Sequence, residues 1–316
     1  MAGAGAIRPF YRLAETLVAA PIAIGFPKRV VLFDKLINNP RFEHLWADQG
    51  LRWVRSKING FLIPCDMKVF SGRLAYFFRR WYEVDTQSII LSLLGEGDTF
   101  VDIGGNVGMA SLTAARAVGE RGHILAFEPN PDVHAIFREA IARNGIRTID
   151  LRNAAMGDEP GRLELFIPDE NHGEASFGKP ATARAGKTVE VEVVDGRTLA
   201  DLETIELVKI DVEGFEEHVL RAIGPAIERH RPFVITEMVG GHLARCGSSV
   251  EAIVALMEER GYSGLRYVAE KDGLFRGRAV LSAYTQADYP RENDVLWVPL
   301  EKSGDPRLKS MKSVPN

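Results

Sequence analysis

The chain has 316 residues, 46% hydrophobic and 26% charged, which is enough apolar material for one large domain or a domain with an appendage. Its two cysteines, Cys65 and Cys246, stand far apart and lack metal-ligand spacing, which argues against a disulfide framework or zinc cluster and for a reducing cytoplasm. Net charge is −4, but residues 1–80 hold 13 Lys/Arg against 5 Asp/Glu; the remainder is acidic and ill suited to nucleic acid.

Residues 8–50 read as short helices broken at Pro21, Pro27 and Pro40, because proline removes a backbone donor and clashes inside a helix. The apolar stretch "LVAAPIAIGF" at 17–26 contains Pro21 and is too short to span a bilayer, and no signal-peptide pattern precedes it. Aromatics crowd residues 1–80, among them Phe33, Trp46, Phe61, Phe77 and Phe78. A basic, aromatic-rich segment suits either peripheral contact with an anionic membrane face or polyanionic glycan, or a helical appendage with a solvated basic face. The chain as a whole reads as soluble and cytoplasmic.

From residue 97 strands and helices alternate. Strands are expected at 99–104, 123–129, 149–157, 206–212, 232–238 and 293–299, and helices at 108–119, 131–145, 214–223 and 249–261. Two further runs, 162–168 and 188–194, alternate apolar and polar residues like a half-exposed antiparallel pair. Parallel strands need helical crossovers, so this order implies an α/β sheet covered on both faces. Ligands of such sheets bind beyond the carboxyl ends of the strands.

The informative residues stand there. "FVDIGGNVGM" (100–109) places Gly104, Gly105 and Gly108 in a sharp turn that brings backbone N–H groups against a ligand. The spacing is not the G-x-G-x-x-G of a dinucleotide fold. Glu128 ends the next strand, 24 residues after Gly104, where an acid can accept both hydroxyls of a ribose. Asp102 could take a ligand ammonium group. An acid for an amine with an acid for a ribose suits S-adenosylmethionine better than a nicotinamide dinucleotide.

"FVDIGGNVG", "FEPNP" and "VKIDVEGFE", in this order and spacing, resemble the FkbM-type S-adenosylmethionine-dependent methyltransferases, with Gly105 where that family usually has alanine. The resemblance runs from about residue 81 to 299. It implies a Rossmann-like class I methyltransferase fold: a mostly parallel seven-stranded sheet with an inserted antiparallel pair. Residues 1–80 fall outside the resemblance and are expected, from their proline-broken, basic and aromatic-rich composition, to form a helical appendage, with 81–300 the catalytic domain and 301–316 a flexible tail. The resemblance also implies a cofactor site formed by Asp102, Gly104, Gly105, Asn106, Gly108, Glu128, Pro129, Asn130 and Asp211. Glu83 and the segment after the third strand, with Ala155 and Met156, would add contacts.

Methyl transfer to a hydroxyl needs an aligned nucleophile and a proton acceptor. Lys209, Asp211 and Glu213 alternate to one side of an extended chain, and Asp211 at the strand tip is best placed beside the methyl group. Glu237 ends the adjacent strand. Acids so arranged could hold a divalent ion or simply polarise the acceptor, and no metal-ligand set is assigned. The loop 169–178 contains His172, a candidate general base. The Asn/Asp-Pro-Pro-aromatic run of amino-directed nucleic-acid methyltransferases is replaced by Asp211-Val212-Glu213-Gly214. The expected function is O-methylation of a sugar, lipid-linked glycan or natural-product hydroxyl, and a homo-oligomer is compatible with it. The alternatives are a nicotinamide-dependent oxidoreductase and a non-catalytic cofactor-binding scaffold.

Overall fold

A computed structural model describes residues 15–19, 22, 29–39, 41, 46, 49–169, 172–178, 185–271, 276–291 and 293–315, without the side chains of Arg29, His172 and Asn293. The N-terminal part contains α1 (Arg29–Leu36), β1 (Leu51–Arg55), β2 (Leu62–Asp66) and α2 (Phe70–Phe78). The central part runs α3 (Val84–Leu93), β3 (Thr99–Ile103), α4 (Met109–Val118), β4 (His123–Phe127), α5 (Pro131–Asn144) and β5 (Ile149–Arg152). A small sheet follows, from β6 (Ala155–Gly157), β7 (Gly161–Pro168) and β8 (Gly186–Asp195). Then come β9 (Leu207–Ile210), α6 (Glu216–Ala222), α7 (Gly224–His230), β10 (Phe233–Met238), α8 (Gly240–Arg245) and α9 (Val250–Glu259). The chain closes with β11 (Tyr262–Lys271), β12 (Arg276–Ala283), β13 (Asn293–Pro299), α10 (Pro306–Lys309) and β14 (Val314–Pro315).

The main sheet has the order β14-β12-β11-β13-β10-β9-β3-β4-β5. Strands β5, β4, β3, β9 and β10 are mutually parallel, and β13 enters antiparallel between β10 and β11. Chain order reverses at β3, the point where a Rossmann-like sheet opens a crevice. Successive residues serve opposite faces. Phe100 and Leu207 pack with Ile89, Leu93, Ala114 and Val118, whereas Val101, Ile103, Val208 and Ile210 pack with Val219, Ile227, Ile253 and Met257.

Helix boundaries follow local chemistry. Asn130 caps α5 by accepting the Asp132 N–H, and Gly145, in the left-handed region, ends it; Ser249 caps α9.

The sheet has nine strands where seven are expected, because β12 and β14 extend its far edge beyond β11. The expected third strand breaks at Asn153, whose side chain donates to the carbonyls of Glu128 and Pro129, and β6 leaves to pair parallel with β8. The inserted antiparallel pair β7–β8 is therefore part of a separate three-stranded sheet.

Residues 1–80 do not form a purely helical appendage. Leu51–Arg55 and Leu62–Asp66 pair as an antiparallel hairpin. Ile63, Cys65 and Ala75 pack with Met109, Leu112 and Ala140, and the Asn144 amide bonds both the N–H and carbonyl of Leu62. The aromatics Phe33, Trp46, Phe77 and Phe78 are buried against one another, with ring centroids 5.4–6.0 Å apart. The tail is also not flexible throughout. Arg307 donates to the Leu93 carbonyl, Lys312 N–H to Ser92, Ser88 to the Lys312 carbonyl, and β14 pairs with β12. Among the described residues no helix is long and apolar enough to cross a membrane.

Candidate active site

The carboxyl ends of β3, β4, β9 and β10 open into a cleft of about 1110 Å³, counting the open solvent at its mouth.

The glycine turn is built by close approach. Gly104 has a φ of 83°, and a β-carbon there would overlap the Asp211 carbonyl oxygen; at Gly108, φ 90°, it would overlap the Phe137 ring. The N–H groups of Gly104 and Gly105 both donate to the Phe127 carbonyl, which ties the turn to the tip of β4. Glu128 completes that tip. Its Oε2 accepts the Asn106 N–H and its Oε1 the Asn130 N–H, each at 2.8 Å. Burial pushes Glu128 up to about 7 against the pull of those two N–H groups. A carboxylate pinned from behind keeps further lone pairs for hydroxyl donors on the cleft side.

Under the cleft, Asp102 is fully buried, with Oδ2 accepting from Ser111 at 2.6 Å and Oδ1 unpartnered. Burial raises its carboxyl, opposed by Lys209. Lys209 stands beside it across the β3–β9 ladder and bonds Asp211 at 2.8 Å. Burial works against the Lys209 ammonium, but Asp211, Asp102 and Glu83 outweigh it and raise the group above its ordinary range.

The turn after β9 is also forced. Glu216, buried, accepts the N–H groups of Val212 and Gly214, and burial pushes it up to about 8. It therefore holds the turn and does not face the cleft. Glu213 adopts a φ of 55°, and Gly214, φ 108°, lies where a β-carbon would overlap the His242 carbonyl. This seats Glu213 beside α8. His242 Nδ1 lies 3.0 Å from Glu213 Oε2 and 3.5 Å from Glu237 Oε2. Glu213 and then Glu237 push His242 up to about 10, against the effect of its own burial.

Of the expected residues, Glu83, Gly104, Gly105, Asn106, Glu128, Pro129, Ala155, Met156, Asp211, Glu213 and Glu237 line the cleft together. Asp102, Gly108 and Asn130 do not: Asp102 lies beneath the floor, Gly108 packs on Phe137 and Asn130 caps α5. The His172 side chain lies outside the described ones. Its loop does cover the cleft through Gly173, Ala175 and Phe177, with Phe177 and Phe215 rings 5.0 Å apart and Ser176 donating to the Glu213 carbonyl.

Sequence reasoning missed Trp81, Tyr82, Phe177, Phe215 and Asp294. Burial, and then Glu83, hold Asp294 well above the carboxylate range. Its signal was present in "NDVLWVP": an antiparallel strand starts where its parallel neighbours end, and Asp294 stands opposite Glu237. His242 carried no such signal, because the fold of a six-residue helix brings it in.

The chain is 30% identical over 148 residues to Methyltransferase 1 of Beauveria bassiana, covering 40% of this chain and 59% of that protein. It is 28% identical over 170 residues to the hexuronic acid methyltransferase AglP of Haloferax volcanii, covering 50% and 63%. It thus spans less than two thirds of the length of either. Among solved structures, the methyltransferase FkbM of Methylobacillus flagellatus superposes with a TM-score of 0.39 at 12% identity, over 72% of this chain and 54% of that one. The family model for the methyltransferase FkbM domain matches residues 102–263, half of the chain and all of the glycine turn, β4 tip and β9 turn, and the protein belongs to the FkbM methyltransferase family.

Proposed function

We propose that the chain transfers a methyl group from S-adenosylmethionine to a hydroxyl of an uncharged sugar or other small acceptor. The observation that carries this reading is Glu128, fixed by two backbone N–H groups at the mouth of the glycine turn. Its free lone pairs suit the two hydroxyls of a ribose. Phe127, Ala155, Met156, Leu165, Phe177 and Phe215 provide an apolar wall suited to an adenine ring. The close-packed turn at Gly104 leaves the backbone bare toward the ligand.

The other side of the cleft is acidic: Glu83, Asp211, Glu213, Glu237 and Asp294 face it, with Lys209 as the lysine among the lining residues. When bound, the cofactor supplies an electrophilic methyl on a cationic sulfonium, which such a field favours. Asp211, tied to Lys209, has a fixed orientation at the strand tip. Glu213 and Glu237 are placed to polarise an acceptor O–H and receive its proton. The relative named for a hexuronic acid supports a sugar acceptor. The acidic wall favours a neutral hydroxyl over a uronate carboxylate, since like charges in a partly desolvated site repel.

Calorimetry with S-adenosylmethionine, S-adenosylhomocysteine and NAD⁺ tests the cofactor. Binding of the first two and not the third is expected, and the reverse would return the protein to the oxidoreductase reading. Transfer of labelled methyl to neutral sugar fractions tests the acceptor. Binding without transfer to any fraction would favour a non-catalytic scaffold.

A further inference from the structure

We propose that Glu213, Glu237 and His242 form a divalent metal site at the acidic end of the cleft. The site stands on its own geometry; its use in holding an acceptor hydroxyl rests on the methyl-transfer reading above.

Three separate elements converge here: the turn after β9, the end of β10 and helix α8. One ligating atom from each lies within 4.8 Å of the other two. Glu213 Oε2, Glu237 Oε2 and His242 Nδ1 are all closed to solvent, and none has a hydrogen-bond partner. Buried polar atoms are nearly always hydrogen-bonded, so three such atoms facing one another need an explanation. The imidazole stands 3.0 and 3.5 Å from the two oxygens without the orientation of a hydrogen bond to either. Ligands bound at about 2.0–2.2 Å to one ion stand roughly 3.0–3.6 Å apart, the edge of a tetrahedron or octahedron. The two spacings from the imidazole are of that size, and the two carboxylate oxygens lie within 4.8 Å of each other.

Charge points the same way. Two carboxylates sit here with Asp211 close by, and Asp211 is already engaged by Lys209. The arrangement is also fixed in advance. The Gly214 backbone packs directly on the His242 carbonyl, and Ser176 donates to the Glu213 carbonyl. Two carboxylates and one imidazole are a mixed oxygen–nitrogen set, suited to Mn²⁺ or Zn²⁺ more than to Mg²⁺ or Ca²⁺. Glu213 and Glu237 line the cleft while His242 stands behind them. An ion held there would present open positions toward an acceptor oxygen and lower the cost of its deprotonation.

The test uses full-length, chelator-stripped protein titrated with MnCl₂ at pH 8. Free Mn²⁺ is followed by electron paramagnetic resonance, and ZnCl₂ binding by calorimetry. About one equivalent should bind, with Glu237→Gln and His242→Asn each weakening affinity by roughly tenfold or more, the least expected even of groups one step removed from a metal. Glu190→Gln, an exposed carboxylate elsewhere, should leave binding unchanged. Thermal melts confirm that each variant is folded, and a variant that is not is replaced by Glu213→Gln. No stoichiometric binding, or binding undiminished in folded variants, would overturn the site and leave a histidine–carboxylate ion pair. These readouts need neither cofactor nor acceptor, so they can fail or succeed independently of methyl transfer.

Discussion

The Lys209 ammonium and the Asp211 carboxylate lie 2.8 Å apart at the cleft floor, with Asp102 across the ladder from the same lysine. One buried cation thus compensates two acids that belong to different strands. Lys209→Met should destabilise the fold by about 3 kcal/mol, the lower end for breaking a buried pair because Asp211 is a third exposed. Denaturant unfolding at pH 8 and pH 5 checks this. The loss should be smaller at pH 5, where the orphaned acids take up protons more readily, and an equal loss at both would contradict the account.

Glu128→Ala should weaken S-adenosylmethionine binding by about 1.5–3 kcal/mol, since it removes a charge-assisted acceptor of two hydroxyls. Calorimetry on the folded variant reads it directly. Affinity equal to that of the parent would remove Glu128 from the cofactor site.

The same residue sets a pH dependence. Its free-state carboxyl is raised to about 7 by burial, and only the ionised form accepts both hydroxyls. Affinity should be flat above that value and fall as pH drops through it, approaching about tenfold per unit for one competing proton. The sign for the fold is opposite. A raised carboxyl means the unliganded fold loses stability as pH rises from the unfolded value toward about 7. In Glu128→Gln the pH dependence of binding should become shallower, leaving only the part owed to Glu83, which burial also raises to about 7.

Gly104→Ala and Gly145→Ala separate two costs. Both glycines have positive φ, but only Gly104 faces backbone atoms, while nothing lies within 4 Å of a β-carbon at Gly145. Gly145→Ala should cost about 1–2 kcal/mol for its conformation alone. Gly104→Ala should cost more, and should also weaken the cofactor because β3 and β9 must part. Melting temperatures in parallel decide whether the gap exists.

Truncation after Gly304 should destabilise the protein by roughly 3 kcal/mol or more, because it exposes partners of the buried Met311 and Val314. A melt identical to that of the full chain would mean the docked tail contributes nothing.

Much of the crevice was legible because it depends on local rules. Strand–helix alternation, the glycines that permit positive φ, and an acid at each strand tip follow from chain geometry. They placed Gly104, Glu128, Asp211 and Glu237 at one edge before any contact was known. The family motif pointed to Asp102 as well, but its depth below the floor depends on Ser111 and Lys209, which no local pattern aligns.

The rest was decided by tertiary structure. The hairpin β1–β2 lies past the proline-broken helices of residues 8–50, in a stretch assigned only to a helical appendage; packing on α4 and α5 gives it a partner. Strands β11 and β12 became visible only through their pairing with β13 and β14. His242 reaches Glu213 and Glu237 because Gly214 lets α8 press against the β9 turn, a contact between segments that are remote in pattern if not in number. By itself, then, the sequence determined which strand ends carry acids and where the backbone could bend, since both are properties of neighbouring residues. Which acids share a cation, which line the cleft and which merely hold a turn were set by the fold, because desolvation and charge pairing depend on what the rest of the chain brings alongside.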